Sequence, residues 1–259
     1  MTGPRSVSWR VNREAALLLG GGRALLMQVA HPRVAAGVAE HSDFESDPIR
    51  RLNLTLELSL ALTFGTPEQV RSSAERINRT HQRVSGKGYR ALDPDLLLWV
   101  HATLIDSALL SYRTFVGPLA PSEAEAYYQE AKPIGALLGV LPRLYPATLP
   151  AFEGYLEAML AGPVRPDATG LRLAGQVLRP PIRWVPGALF APLRVLTAGL
   201  LPEALREAYG LAWGHGSRAV FRAASAGARR LVAVAPARLR VVPPARAAER
   251  ALESGVGLL

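Results

Sequence analysis

Cysteine is absent from all 259 positions. Its absence excludes disulfides, iron–sulfur clusters, thiolate metal sites, a cysteine nucleophile and covalent haem attachment through Cys-x-x-Cys-His. It also leaves the redox compartment open. Lysine is nearly absent: among 30 basic residues only Lys87 and Lys132 are not arginine. With abundant Ala, Gly and Pro, this arginine excess has the look of coding bias more than of a chemical signature. Long apolar runs are missing too. No segment reaches about 18 uninterrupted apolar residues, so no membrane span is expected. The nearest approach, "WVPGALFAPLRVLTAGLLP" from Trp184 to Pro202, carries two internal prolines and Arg194, and reads as surface-seeking or buried within the protein. The opening "MTGPRSVSWRVNREAALLLGGG" does not read as a secretory signal, because its apolar stretch is short and follows Glu14. A cytoplasmic protein, membrane-peripheral at most, is the expectation.

Standard chemical motifs are missing as well. There is no His-Glu-x-x-His zinc helix, no Walker phosphate loop and no Gly-x-Ser-x-Gly nucleophile elbow. "LLLGGGRALLMQ" follows no strand, so its glycines read as sites of close helix packing, not as a dinucleotide fingerprint. Nucleic acid is not an expected partner: the arginines are spread along the chain, with no zinc-finger, basic-zipper or aromatic RNA-binding signature. A formal charge of +9 still permits attraction to an anionic membrane surface or ligand.

What remains is helical. Hydrophobic content of 49% supports a sizeable core, and apolar residues recur with helical period while β-type alternation is scarce. Helices are predicted over Arg13–Ala30, tightened at the three glycines, and from Pro32 to about Glu40. Further helices are expected from Asp47-Pro48 to about Phe64, and from the cap Thr66 with Pro67 to about Val84. Others begin at Asp93-Pro94 and Ser122, and lie within "PATLPAFEGYLEAML" and Leu201–Gly227. The prediction is an all-α fold: one domain over 1–235, with eight to ten helices and a buried cofactor pocket. A Pro/Arg-rich tail over 236–259 would be loosely attached or docked on the surface.

Five histidines carry most of the candidate chemistry. In "DPDLLLWVHATLIDSALLSYRTF", His101 shares a helix face with Leu97, Leu98, Leu104, Ile105 and Ala108. It is either a core histidine hydrogen-bonded to a carbonyl or a ligand to a metal or haem iron. His31 and His41 stand at helix junctions. His215 lies in "WGHGSR", whose glycines allow close approach of backbone or ligand. His81 follows Arg76, Arg79 and Thr80, a cluster able to bind a carboxylate or polarise an oxygen ligand, or simply a solvated helix face. Glu57 is an acid within an apolar helix, either a buried general base, a partnered structural acid or an exposed edge residue.

Four segments together resemble a known family: "REAALLLGGGRALLMQVAHPRVAAGVAEHSDF", "DPIRRLNLTLELSLALTFG", "INRTHQRVSGKGYRALDPDLLLWVHATLIDS" and "AYYQEAKPIGALLGV". They are similar to the rubber oxygenase (latex-clearing protein) and MpaB-type oxygenase catalytic domains. The resemblance implies an all-helical haem b-dependent oxidoreductase acting on an apolar substrate, with His101 as axial and metal ligand. Arg76, Arg79 and Thr80 would fall where rubber oxygenases carry a distal Arg-x-x-Lys-Thr group. Here Arg79 replaces the lysine, and the two are not interchangeable as oxygen-polarising groups. His31 and His81 would support the cofactor. Alternatives are a binding protein that holds haem or an apolar ligand without turnover, and a non-haem metal enzyme using His31, His81 and His101 with Asp43 or Asp106. A cofactor-free structural protein completes the set. A homodimer is expected as a prior for so apolar a helical chain.

Overall fold

Proline and short polar side chains punctuate this chain, and most helices begin where they stand. In this computed structural model, residues 3–41, 48–180 and 190–254 are described, with side chains throughout except at 48–52. Within them lie α1 (Val7–Asn12), a 3-10 segment (Ala15–Gly20), α2 (Gly21–Val29), α3 (Pro32–His41), α4 (Pro48–Phe64) and α5 (Pro67–Gln82). A two-stranded hairpin follows, β1 (Ser85–Gly86) and β2 (Tyr89–Arg90), then α6 (Pro94–Phe115) and α7 (Pro121–Leu137). After a 3-10 turn (Pro142–Leu144) come α8 (Leu149–Ala161), α9 (Ala168–Leu178), α10 (Ala191–Leu200) and α11 (Glu203–Ala208). The chain closes with α12 (His215–Val234), α13 (Ala237–Arg240) and α14 (Pro243–Glu253). The fold is all-α, with fourteen α-helices among the described residues where eight to ten were expected. The surplus consists of α1, α9, α10, α13 and α14, for which no separate helix was expected.

Local chemistry sets the boundaries. Thr66 Oγ1 accepts the Gln69 N–H at 3.3 Å while Gln69 Oε1 accepts the Thr66 N–H at 2.9 Å, a complete capping box ahead of Pro67. Asp93 also precedes a helix, but its carboxylate accepts from Arg33 and Arg90 and makes no side-chain cap on α6. The Gly20–Gly22 run closes the helices on one another. A Cβ at Gly20 would lie 2.0 Å from Ser111 Oγ of α6, and one at Gly22 would lie 2.5 Å from Thr197 Oγ1 of α10.

Helix α6 is the axis of the molecule. Trp99, Ala102, Ile105 and Leu109 on it are buried with Leu26 and Met27 of α2, Tyr127 and Tyr128 of α7 and Phe152 of α8. Trp99 Nε1 donates to the Met27 carbonyl at 3.2 Å and Gln28 Nε2 donates to Thr103 Oγ1 at 3.1 Å, fixing α2 on this face. The buried Arg23 of α2 donates to Asp106 Oδ2 (2.5 Å), Ser107 Oγ (2.7 Å) and the Leu200 carbonyl (2.7 Å). All the directions of its fork that are used meet an acceptor, as a buried guanidinium requires.

The Pro/Arg-rich segment after residue 235 docks through residue 254. Val241, Val242 and Ala245 are buried with Trp9 and Phe64. The Val242 N–H donates to the Arg13 carbonyl at 2.9 Å, and Glu249 takes both Trp9 Nε1 and Arg13, each at 2.9 Å. No helix among the described residues is long and apolar enough to cross a membrane. Of the stretch Trp184–Pro202, residues 184–189 lie outside the described residues.

Candidate functional site

His101 lies about two turns into α6, and its ring is buried. Trp99 and Thr103, each two residues away and so turned by about 200°, face α2. The imidazole faces the other way, toward α7 and the turn that follows it. There the Tyr145 hydroxyl and His101 Nδ1 share a hydrogen bond of 2.6 Å, with the two rings edge to face at 5.9 Å. Tyr145 itself belongs to an apolar cluster with Leu97, Leu98 and Val140. Leu104, expected on the same buried face, is exposed.

One residue makes this contact possible. Gly135 on α7 stands against the His101–Tyr145 pair: a Cβ there would lie 1.7 Å from the Tyr145 hydroxyl and 2.6 Å from His101 Nδ1. No other side chain fits at that position without breaking the bond. Tyr145 is set in place by the 3-10 turn Pro142–Leu144, its N–H donating to the Pro142 carbonyl.

Burial lowers the His101 pKa from 6.5 to about 4, so the ring is neutral at neutral pH. Burial and the phenol's neighbours raise that of Tyr145, so the pair is an uncharged imidazole and an uncharged phenol. Nε2 of His101 has no hydrogen-bond partner among the described residues. Two tautomers are open to the pair. Either the phenol donates to Nδ1 and Nε2 carries the proton, or Nδ1–H donates to the phenol oxygen and leaves the Nε2 lone pair free.

The other candidates are distributed differently. Arg76, Arg79 and Thr80 lie together on α5 but are exposed, and Thr80 Oγ1 donates back to the Arg76 carbonyl at 3.1 Å. His81, next on that helix, is half-buried. Helix α5 rests on the last turns of α7 through Ile77, Ile134 and Leu138, and Asn78 Nδ2 donates to the Leu137 carbonyl at 3.0 Å. Helix α7 is therefore the common neighbour of His101 and the Arg76–His81 segment. His31 is buried at the start of α3, beyond α2, where burial and Arg33 lower its pKa and its Nδ1 has no hydrogen bond among the described residues. Helix α2 meets the face of α6 opposite His101.

No three His, Asp or Glu side chains among the described residues gather into a set able to hold a metal ion. His31, His81, His101 and Asp106 thus form no such set, and Asp106 is engaged by Arg23. Asp43 lies outside the described residues. His41 Nε2 is 3.0 Å from the Ser85 carbonyl oxygen, and Glu57 is exposed. His215 lines an open cleft with Trp213, Arg218, Phe221 and Arg222. Tyr145 and Gly135 are the residues that sequence reasoning missed. The quoted segment "AYYQEAKPIGALLGV" contains Gly135, but nothing local marks it as the partner of an imidazole on another helix.

A helical domain built on a long central helix that buries a neutral imidazole against a neighbouring helix is the class that fold and site define. The chain belongs to the family described as ER-bound oxygenase mpaB/B'/Rubber oxygenase, catalytic domain, whose sequence model matches residues 9–230. An oxygenase or oxidoreductase role follows at that general level. Two relatives, uncharacterized proteins of Mycobacterium bovis and Mycobacterium tuberculosis, are each 30% identical over 214 residues, covering 76% of this chain and 81% of theirs. No solved structure matches significantly.

Proposed function

We propose that the protein is a haem b-dependent oxygenase acting on a small apolar substrate, with His101 as the proximal ligand. The observation that carries this reading is the state of that imidazole: buried, neutral, held at Nδ1, and without a partner at Nε2 among the described residues. A ligating histidine needs its second nitrogen oriented by a hydrogen bond, and Tyr145 supplies one. Ligation through Nε2 selects the tautomer in which Nδ1–H donates to the phenol oxygen. Gly135 keeps the space in which that bond forms. Bound haem would supply the one-electron and dioxygen chemistry that no side chain here can perform.

In this reading Arg76 and Arg79 are propionate-binding groups. Exposed guanidiniums suit carboxylates at a solvent edge better than they suit polarising an oxygen in a dry pocket. Thr80 and the half-buried His81 complete that edge, and His31, beyond α2, braces α3. An apolar substrate suits a site whose Tyr145 is packed with Leu97, Leu98 and Val140. Such substrates partition into membranes, so peripheral contact with an anionic membrane belongs to the same reading.

The experiment is oxygen uptake by the haem-loaded protein offered lipids, terpenes and isoprenoids, with detection of carbonyl products. Uptake coupled to a carbonyl product is expected. Stoichiometric haem with no uptake on any of them would favour instead a protein that stores or carries haem.

A further inference from the structure

Helix α12 and the segment after it break the usual rules for a surface. Among the described residues the helix packs chiefly on α10 and α6, and none of its twenty residues is fully buried. Its free side exposes Val220, Leu231 (66%) and Val234 (80%), and α13 adds Leu239 (70%). Aliphatic side chains this open are ordinary singly, but four of them on adjoining elements mark a surface that meets something apolar.

The charge on the same segment is one-sided. From Ala208 to Ala248 there is no aspartate or glutamate, and seven arginines stand there. Arg222, Arg230 and Arg238 are exposed and have no carboxylate partner among the described residues. Between them the exposed positions of α12 are largely Ala, Gly and Val. Thus guanidiniums rise from an aliphatic, small-residue surface almost without directional hydrogen-bonding groups. At the helix start the open cleft adds Trp213, held under the Arg206 guanidinium at 5.0 Å and edge to face with Phe221 at 5.8 Å. Phe221 is itself seated on Gly199 of α10, where a Cβ would lie 2.2 Å from its ring.

We propose that the exposed face of α12 with α13 is a docking surface for an anionic lipid bilayer. The arginines meet lipid phosphates, the aliphatic side chains enter the headgroup–acyl boundary, and the Trp213 cleft receives a headgroup between Arg218 and Arg222. A second copy of the chain is the poorer occupant, because self-pairing of this face would bring arginine against arginine with no acid from this segment to separate them. Helix α12 is tied to the far end of α6, where Arg229 Nε donates to the Thr114 carbonyl at 2.8 Å. That is about 20 Å along α6 from His101 at 1.5 Å per residue. The surface extends the membrane contact of the proposed function, and its test gives the same answer with or without haem, so the two readings fail separately.

The test is flotation of the full chain with phosphatidylcholine vesicles, with and without phosphatidylglycerol, at rising salt. Two variants accompany it: the triple Arg222→Gln, Arg230→Gln, Arg238→Gln, and the double Leu231→Ser, Val234→Ser. All five positions are exposed, and thermal melts matching wild type confirm folding. Salt-sensitive binding to the phosphatidylglycerol vesicles is expected, at about fivefold per arginine and so on the order of a hundredfold weaker in the triple variant. The double variant should also bind more weakly. Absent binding, equal binding to both vesicle types, or binding undiminished in the variants overturns the proposal. So does a dimer in sedimentation velocity that dissociates in Leu231→Ser, Val234→Ser, or tighter binding to polyglutamate than to vesicles, which would point to an acidic protein.

Discussion

At the scale of single residues, the His101–Tyr145–Gly135 contact makes the sharpest demands. Gly135→Ala places a methyl group inside the hydrogen bond, and overpacking of this kind costs about 1–3 kcal/mol. The expected result is a lower melting temperature together with a displaced Tyr145. Tyr145→Phe removes the hydroxyl and leaves the buried Nδ1 unpaired, a loss of about 1–3 kcal/mol read in urea melts. The pH dependence of the haem-free protein follows from the same burial. The folded-state pKa of His101 is about 4 against an ordinary 6.5, so between those values the unfolded chain binds the extra proton. Stability from this group is complete above about pH 6.5 and falls as pH drops toward 4, by on the order of 3 kcal/mol. Urea melts across that window should show a slope that shrinks in His101→Asn, which keeps a polar partner for Tyr145 but does not titrate. An identical slope in the variant would contradict the buried neutral imidazole. His101 itself was legible as a candidate, because a lone polar ring on an apolar helix face is visible in sequence. Its partner was not: Tyr145 is 44 residues away and belongs to a turn set by tertiary packing.

At the scale of elements, local signals were read well and distant ones poorly. The cap at Thr66, the proline starts of α3, α4 and α6, and the glycine run at 20–22 all act through neighbours in the chain. The docking of α14 does not. Pro243, Pro244 and repeated arginines have the composition of a tail, while the residues that hold it, Trp9, Phe64 and Arg13, come from the other end of the chain. Glu249 is the pin, since one carboxylate receives both the Trp9 indole and the Arg13 guanidinium. Glu249→Ala should cost about 1.5–3 kcal/mol and raise proteolytic cleavage after residue 235, measured by limited trypsin digestion. Equal digestion rates would mean that the apolar cluster alone holds the segment. The Arg76–Arg79–Thr80 group shows the opposite case. Spacing placed these residues correctly on one stretch of helix, but spacing does not tell a lined pocket from a solvated face, and the structure exposes all three.

At the scale of the whole molecule, α6 organises the fold, and Arg23 joins three helices around it through Asp106, Ser107 and the Leu200 carbonyl. Arg23 is buried while its partner Asp106 keeps partial access to water, so Arg23→Ala strands no fully buried charge. It should destabilise by about 1.5–3 kcal/mol through its lost charge-assisted bonds, more than Arg33→Ala, whose partner Asp93 is shared with Arg90 at the surface. Comparative thermal melts decide this, and equal losses would mean that the Arg23 network is dispensable. The all-α class was legible because periodicity and composition act over the whole chain. The way α7 presents a glycine to an imidazole on α6 was not, since it depends on how two helices cross.

The central claim, that His101 is the proximal ligand of a bound haem, is tested most directly by absorption spectra of the protein purified from haem-supplemented cells. Wild type, His101→Ala and His81→Ala are compared. A stoichiometric haem band is expected in wild type and in His81→Ala, lost or shifted only in His101→Ala. A folded wild-type protein without the band, or an unchanged band in His101→Ala, would contradict it.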